Sequence, residues 1–214
     1  MDLAETVPAR PYLRVAAVAG GAGFAVLAVV MWHSARPVGW ERPIITAVDS
    51  IPLPFRDFWI AMFQPIVFTF TTIALGGAAA ACGRRRLAVA GIVGCLGAAL
   101  AAQVVFKPLV DRVRTHVVDV GGRMFPSAHV TAAAALATFA LLILGRHTRL
   151  TPFLIALPFV VGCAAISLEL HYPADIAGGL LLGPTFVYFT VSAVRCGARS
   201  LGASPVSQRE SESA

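Results

Sequence analysis

Charge is scarce in this chain. Of its 214 residues 13% are charged and 57% are hydrophobic, and the mean hydropathy is +0.78. Soluble domains carry about 25% charged residues, so an ordinary soluble domain is excluded. Intrinsic disorder is excluded as well, because it needs low hydrophobicity. Lysine is almost missing: Lys107 is the single lysine among 17 basic residues. With no dense basic patch interleaved with aromatics, the pI near 9.8 does not point to nucleic acid. Cysteine is limited to Cys82, Cys95, Cys163 and Cys196. None is spaced as a zinc pair and three sit in or beside apolar runs, so they read as small buried hydrophobes rather than a disulfide frame or a metal site. The two-residue alternation of a membrane barrel is absent too. The alanine- and arginine-rich, lysine-poor usage is that of a GC-rich bacterial genome.

What the chain has instead is long apolar runs, at 13–33, 57–82, 87–106, 127–144, 151–170 and 176–194. Each is long enough to cross the hydrocarbon core as a helix, which takes about 20 residues. The expected fold is therefore all-α, an integral-membrane six-helix bundle. One domain over 13–195 is flanked by a polar segment, 1–12, and a polar tail, 196–214, whose Ser/Glu-rich end reads as disordered. The first run begins beside Arg10 and Arg14 as a signal peptide would, but its length and the runs after it make it a retained helix.

Orientation follows from the arginines. With the N-terminus inside, ten basic residues fall on inner segments and seven on outer ones. The Arg84–Arg86 cluster is the strongest part of that bias. Four of the outer seven lie within 107–125, and if that loop has a chemical task the bias becomes ten to three. Both termini are thus expected in the cytoplasm of a cell whose inner (plasma) membrane holds the bundle. The outer loop 34–56, with Trp40, Pro43, Pro52 and Pro54, reads as interfacial. Gly20, Gly21, Gly23, Gly76 and Gly77 read as points of close helix packing.

Three polar clusters interrupt the apolar pattern: 107–115 (KPLVDRVRT), 126–129 (PSAH) and 171–175 (HYPAD). His129 and His171 are 42 residues apart. One helix in and one helix out, at about 20 residues each, consumes that distance and returns both histidines to the same face. The first cluster ends the third run on that face. Ionisable groups at membrane depth are costly and mark function by default. Pro126-Ser127 reads as a helix start with Ser127 as N-cap and His129 in the first turn. Pro173 suits a first helical position, with Asp175 in that first turn. Two helix N-termini so placed attract anions. Lys107, Arg112 and Arg114 add positive charge, the arginines as bidentate donors. Phosphate fits such a pocket best, and two histidines with one carboxylate beside it can supply a nucleophile and a general acid.

In order and spacing the clusters resemble the signature of the lipid phosphate phosphatase superfamily, the type 2 phosphatidic acid phosphatases related to vanadium haloperoxidases. Its pattern is K-x-x-x-x-x-x-R-P, then P-S-G-H, then S-R-x-x-x-x-x-H-x-x-x-D, and the resemblance covers about 57–195. It implies that Lys107 and Arg114 hold the phosphate oxygens, assisted by Ser127 and the backbone N–H groups near Ala128. Arg112 lies in the same phosphate loop. His171 would attack phosphorus and form a phosphohistidine, with Asp175 orienting and stabilising its imidazole. His129 would protonate the leaving group and then activate water. No metal and no cofactor are required. The implied function is a membrane phosphatase at the outer face, acting on a polyprenyl pyrophosphate, a phosphatidylglycerol phosphate or phosphatidic acid.

The departures are specific. Thr115 stands for the proline after Arg114, and Ala128 for the glycine of P-S-G-H, which puts a methyl where the backbone approaches phosphate. Ala164 and Ala165 stand where the third motif has serine and arginine. An arginine donor in a partly desolvated site is worth roughly 2–4 kcal/mol. Glu169 adds negative charge to the site if it faces inward. The missing arginine motivates the alternative of a lipid-phosphate binding or transport protein without turnover. A phosphohistidine could also pass to an alcohol, which would make the protein a lipid phosphotransferase. A metal-dependent hydrolase built on His129, His171 and Asp175 is disfavoured by the surrounding cations.

Overall fold

The computed structural model describes residues 12–34, 36–112, 122–145 and 148–202. The described residues form helices joined by turns, with no strand among them. Helix α1 is Tyr12–Met31, and the connection after it carries α2 (Glu41–Asp49) and α3 (Arg56–Ala61). Helix α4 is Pro65–Ala81. Helix α5, Arg85–Leu100, runs on through a π-helical stretch, Ala101–Phe106, into α6, Lys107–Val110. Then come α7 (Ala128–Leu144), α8 (Thr151–Ser167) and α9 (Pro173–Gly202).

Tyr12–Met31, Arg85–Val110 and Pro173–Val194 are each long and apolar enough to cross a membrane. Pro65–Ala81, Ala128–Leu144 and Thr151–Ser167 are apolar but shorter. These lengths and compositions suggest a membrane protein.

The apolar run expected over 57–82 is not one helix. The chain breaks between α3 and α4 because Gln64 precedes a proline and is extended (φ −61°, ψ 147°). A residue in that position is driven out of the helical region by the proline ring. Pro65 then opens α4 where a missing N–H costs nothing. The third run extends beyond 106 to Val110, and the last helix begins at Pro173 and passes the expected boundary at 195. Residues 1–11 and 203–214, which make up most of the expected terminal segments, lie outside the described residues.

Helix α9 is the hub, packing on α1, α5 and α7, while α4 packs on α5 and α8 on α7. Small residues permit this. A Cβ added at Gly183 would stand 2.5 Å from the Thr131 carbonyl oxygen and 2.8 Å from the Ala135 nitrogen, both backbone atoms of α7. One at Gly179 would stand 2.9 Å from the Ser127 carbonyl oxygen. This is the small-xxx-small spacing of close helix pairs. Among the glycines expected to mark such contacts, Gly20 abuts Thr185, Gly23 abuts Leu181 and Gly76 abuts Ile92, whereas Gly77 faces open space. Because backbone cannot yield as a side chain can, Gly183→Ala should cost about 1–3 kcal/mol, the usual penalty of overpacking. Thermal unfolding in detergent checks this, and an unchanged midpoint would contradict the α7–α9 contact.

Candidate active site

The first motif follows the π-helical stretch Ala101–Phe106. Such widened turns break the ordinary helical register and occur often at functional sites. Lys107 follows directly and is half-buried. Helix α6 ends at Asp111, whose left-handed backbone (φ 48°) turns the chain. The Met124 N–H then donates to the Arg112 carbonyl at 2.8 Å, and Arg123 Nε donates to Asp111 at 2.8 Å. These two ties bring the first and second motifs side by side. Arg114 lies outside the described residues.

Phe125 anchors the second motif. It is fully buried, stacks on Phe24 at 5.6 Å, and its ring lies where Gly178 carries no side chain. Ser127 follows as the N-cap of α7, with extended backbone (φ −67°, ψ 115°), as the sequence leads one to expect. Its hydroxyl makes no capping bond and is buried without a partner. The Ser127 N–H donates to the Asp175 carbonyl at 3.0 Å. The next N–H groups of α7, beginning at Ala128 and His129, have no intrahelical acceptor, as in any helix first turn. His129 Nδ1 is buried without a hydrogen-bond partner, and His171 and Lys107 lie close enough to act on its ring electrostatically.

The third motif is set by the way α8 ends. Leu168 is the C-cap, and Glu169 adopts a left-handed conformation (φ 54°). The Leu170 N–H donates to the Ala165 carbonyl at 2.9 Å and the Glu169 N–H to the Ile166 carbonyl at 2.7 Å. This is the paired hydrogen bonding of a Schellman motif, in which glycine is the usual left-handed residue. Glu169 is exposed and lines an open cleft with Asp49, Leu53, Arg56 and Ser167, and no catalytic candidate lines that cleft. Ala165 is fully buried in the apolar core. At the position of the motif's arginine the chain therefore offers a backbone carbonyl, which also accepts the His171 N–H at 3.3 Å.

That turn delivers His171 to the start of α9. Its side chain is buried, and Nδ1 faces Asp175 Oδ2 at 3.7 Å, without a hydrogen-bond partner. Asp175 is fully buried. Its Oδ2 accepts the Tyr172 N–H at 2.8 Å, half of a capping box at the head of α9. Its Oδ1 accepts Arg112 Nη1 at 2.9 Å. Arg112 is also fully buried, and it lies over the Tyr172 ring at 4.9 Å. Burial disfavours its charge, but Asp175 and Glu41 more than offset this and hold its pKa above the ordinary arginine value.

Glu41 is the residue that sequence reasoning missed. It opens α2 and is fully buried. Its Oε2 accepts Arg112 Nη2 at 2.7 Å and the Val38 N–H at 2.7 Å. Its Oε1 accepts Arg112 Nη1 at 3.3 Å and the Ala174 N–H at 2.9 Å. The head of α9, expected to face an anion, thus has a carboxylate of the chain itself as partner, and Arg112 keeps only Nε without a partner. A glutamate at a helix start ordinarily reads as complementing the dipole, so nothing local in the sequence marks it as buried.

The three motifs, distant in sequence, meet together with Glu41 in one cluster: His129, His171, Asp175, Glu41, Lys107 and Arg112. A family model matches residues 17–196, which include all three. The chain belongs to the PAP2 superfamily. PAP2 members are phosphatases, so a phosphatase-type activity on phosphate esters follows for this chain at the level of the family. The chain finds no match among curated proteins or among solved structures. Against the motif pattern the departure at the site is the apolar, buried Ala165, and Arg112, two residues before the motif arginine, binds two buried carboxylates through its Nη atoms.

Proposed function

We propose that this PAP2 protein is an integral-membrane phosphatase that hydrolyses a lipid phosphate or pyrophosphate through a phosphohistidine at His171. The observation that carries the proposal is the pairing of His171 Nδ1 with the buried carboxylate of Asp175 at 3.7 Å. That pairing favours the proton on Nδ1 and leaves Nε2 as the nucleophile. In the first step Nε2 attacks phosphorus, the P–O bond to the lipid breaks, and the His129 imidazolium gives its proton to the departing oxygen. Asp175 stabilises the cationic phosphohistidine. In the second step neutral His129 takes a proton from water as that water attacks phosphorus and releases His171.

Lys107, Arg114, the Ser127 hydroxyl and the first N–H groups of α7, including that of Ala128, hold the phosphate oxygens. Arg112 offers Nε to the phosphate and its Nη atoms to the carboxylates. No step requires a metal or a cofactor.

The connectivity supports a six-span arrangement made of α1, α4, the α5–α6 rod, α7, α8 and α9. Glu41 lies between the first two spans, Arg112 and Ser127 between the third and fourth, and His171 between the last two. In an alternating bundle these three connections share one face. At the other face Arg84, ahead of α5, hydrogen-bonds the Ile143 carbonyl near the end of α7. The arginine bias favours a site face outside the plasma membrane with both termini in the cytoplasm. The exposed Trp40 suits an interfacial position on the site face.

A polyprenyl pyrophosphate, a phosphatidylglycerol phosphate and phosphatidic acid present the same phosphate to this cluster. Purified protein in detergent with a strong chelator should release phosphate from at least one of them. Chelator-sensitive release would refute the metal-free chemistry. No release from any, by folded protein, would replace hydrolysis with lipid-phosphate binding or transport. Phosphorylation of an added alcohol would make the protein a phosphotransferase.

A further inference from the structure

We infer that Glu41, through Arg112, is a positioning residue for His171. The inference rests on the catalytic reading of His171 and adds a residue outside the three motifs. Arginine and a carboxylate left to themselves pair through two parallel hydrogen bonds. A bidentate Arg112–Asp175 pair would occupy both oxygens of Asp175 and compete with His171 for Oδ2. Glu41 takes the forked edge instead: its Oε2 lies 2.7 Å from Nη2 and its Oε1 3.3 Å from Nη1. Asp175 then meets Arg112 through Oδ1 alone, at 2.9 Å, and Oδ2 stays turned to His171 Nδ1.

Glu41 acts on the same element from a second side. By accepting the Ala174 N–H at 2.9 Å it fixes the first turn of α9, from which Asp175 projects. Its negative charge also balances Arg112, so the arginine does not cancel the field of Asp175 at the imidazole. A fully buried carboxylate is costly unless paired and hydrogen-bonded. Glu41 meets that condition with partners from the segment before α2, the end of the α5–α6 rod and the head of α9. A merely structural glutamate would hold these segments together without affecting which nitrogen of His171 carries the proton.

The test is the tautomer of His171, read from nitrogen-15 shifts of the histidine-labelled full chain in detergent micelles, together with steady-state phosphate release. The wild-type protein is expected to hold neutral His171 with its proton on Nδ1. Glu41→Gln keeps the shape and an acceptor for Ala174 but removes the charge and the oxygen that accepts Arg112 Nη2 and the Val38 N–H. The Nε2–H tautomer should rise in that variant, and kcat should fall about 10- to 100-fold, the scale on which activity falls when the group that orients a site histidine is removed, with KM nearly unchanged. If Glu41→Gln does not fold, Glu41→Asp, which withdraws the carboxylate by one methylene, should show the same tautomer change to a smaller extent. Wild-type tautomer populations, or a wild-type kcat, in the folded variant would overturn the inference. A tautomer change in a protein that releases no phosphate would sustain the role of Glu41 and remove the phosphatase reading instead.

Discussion

His171→Ala should reduce phosphate release roughly 10⁴- to 10⁶-fold, the scale on which hydrolases lose rate when their nucleophile is removed. The loss should fall on kcat, because in the proposed site Lys107 and the head of α7 hold the phosphate without His171. His129→Ala should cost less, about 10²- to 10⁴-fold, because it removes proton transfer and spares the nucleophile. Its effect should shrink for a pyrophosphate substrate, whose leaving group departs with less need of a proton. Equal losses in the two variants, regardless of leaving group, would contradict the division of roles. Rates of phosphate release for both variants on a monoester and on a pyrophosphate provide the comparison.

Arg112→Ala should be among the most destabilising single changes in the chain. Arg112, Glu41 and Asp175 have no exposed side-chain surface. Removing the arginine leaves two carboxylates buried together without a counter-charge. Breaking a buried pair in this way costs about 3–5 kcal/mol, a large part of the 5–15 kcal/mol that typically holds a domain together. Arg112→Lys should recover little of this, since an ammonium is a point charge that cannot fork between two acids. Neutralising all three residues, as Arg112→Met with Glu41→Gln and Asp175→Asn, should restore much of the stability while leaving the protein inactive. Thermal unfolding in detergent, with activity measured on the same samples, separates the outcomes. A single variant, Arg112→Ala, as stable as wild type would show that the two carboxylates do not depend on it.

Much of the candidate site was legible because its residues stand in motifs whose spacing survives the turns between them. The distance from His129 to His171 matches one helical excursion and return. Ser127 and Pro173 announce the starts of α7 and α9 by side chains suited to those positions. The all-helical character likewise follows from apolar runs too long for strands. What escaped depends on contacts between distant segments. Glu41 looks like any acid at a helix start, and only the fold brings it to Arg112 and Ala174. The partners of Arg112 were hidden for the same reason: its position suggests a phosphate ligand, while two buried carboxylates take its Nη atoms. The break at Gln64-Pro65 was legible in principle but lies inside a continuous apolar run, where hydropathy outweighed the proline. Glu169 was uncertain because a charged residue in a left-handed helix terminus goes against the ordinary preference for glycine.

The central claim is that phosphate passes through His171. It is tested most directly by mixing the protein with substrate, quenching in alkali, where phosphohistidine survives, and mapping the modified peptide by mass spectrometry. The account predicts one phosphorylated site, His171, formed in wild-type protein and absent from His171→Ala. Phosphate release from a competent substrate with no phosphohistidine, or with the phosphate on another residue, would contradict it.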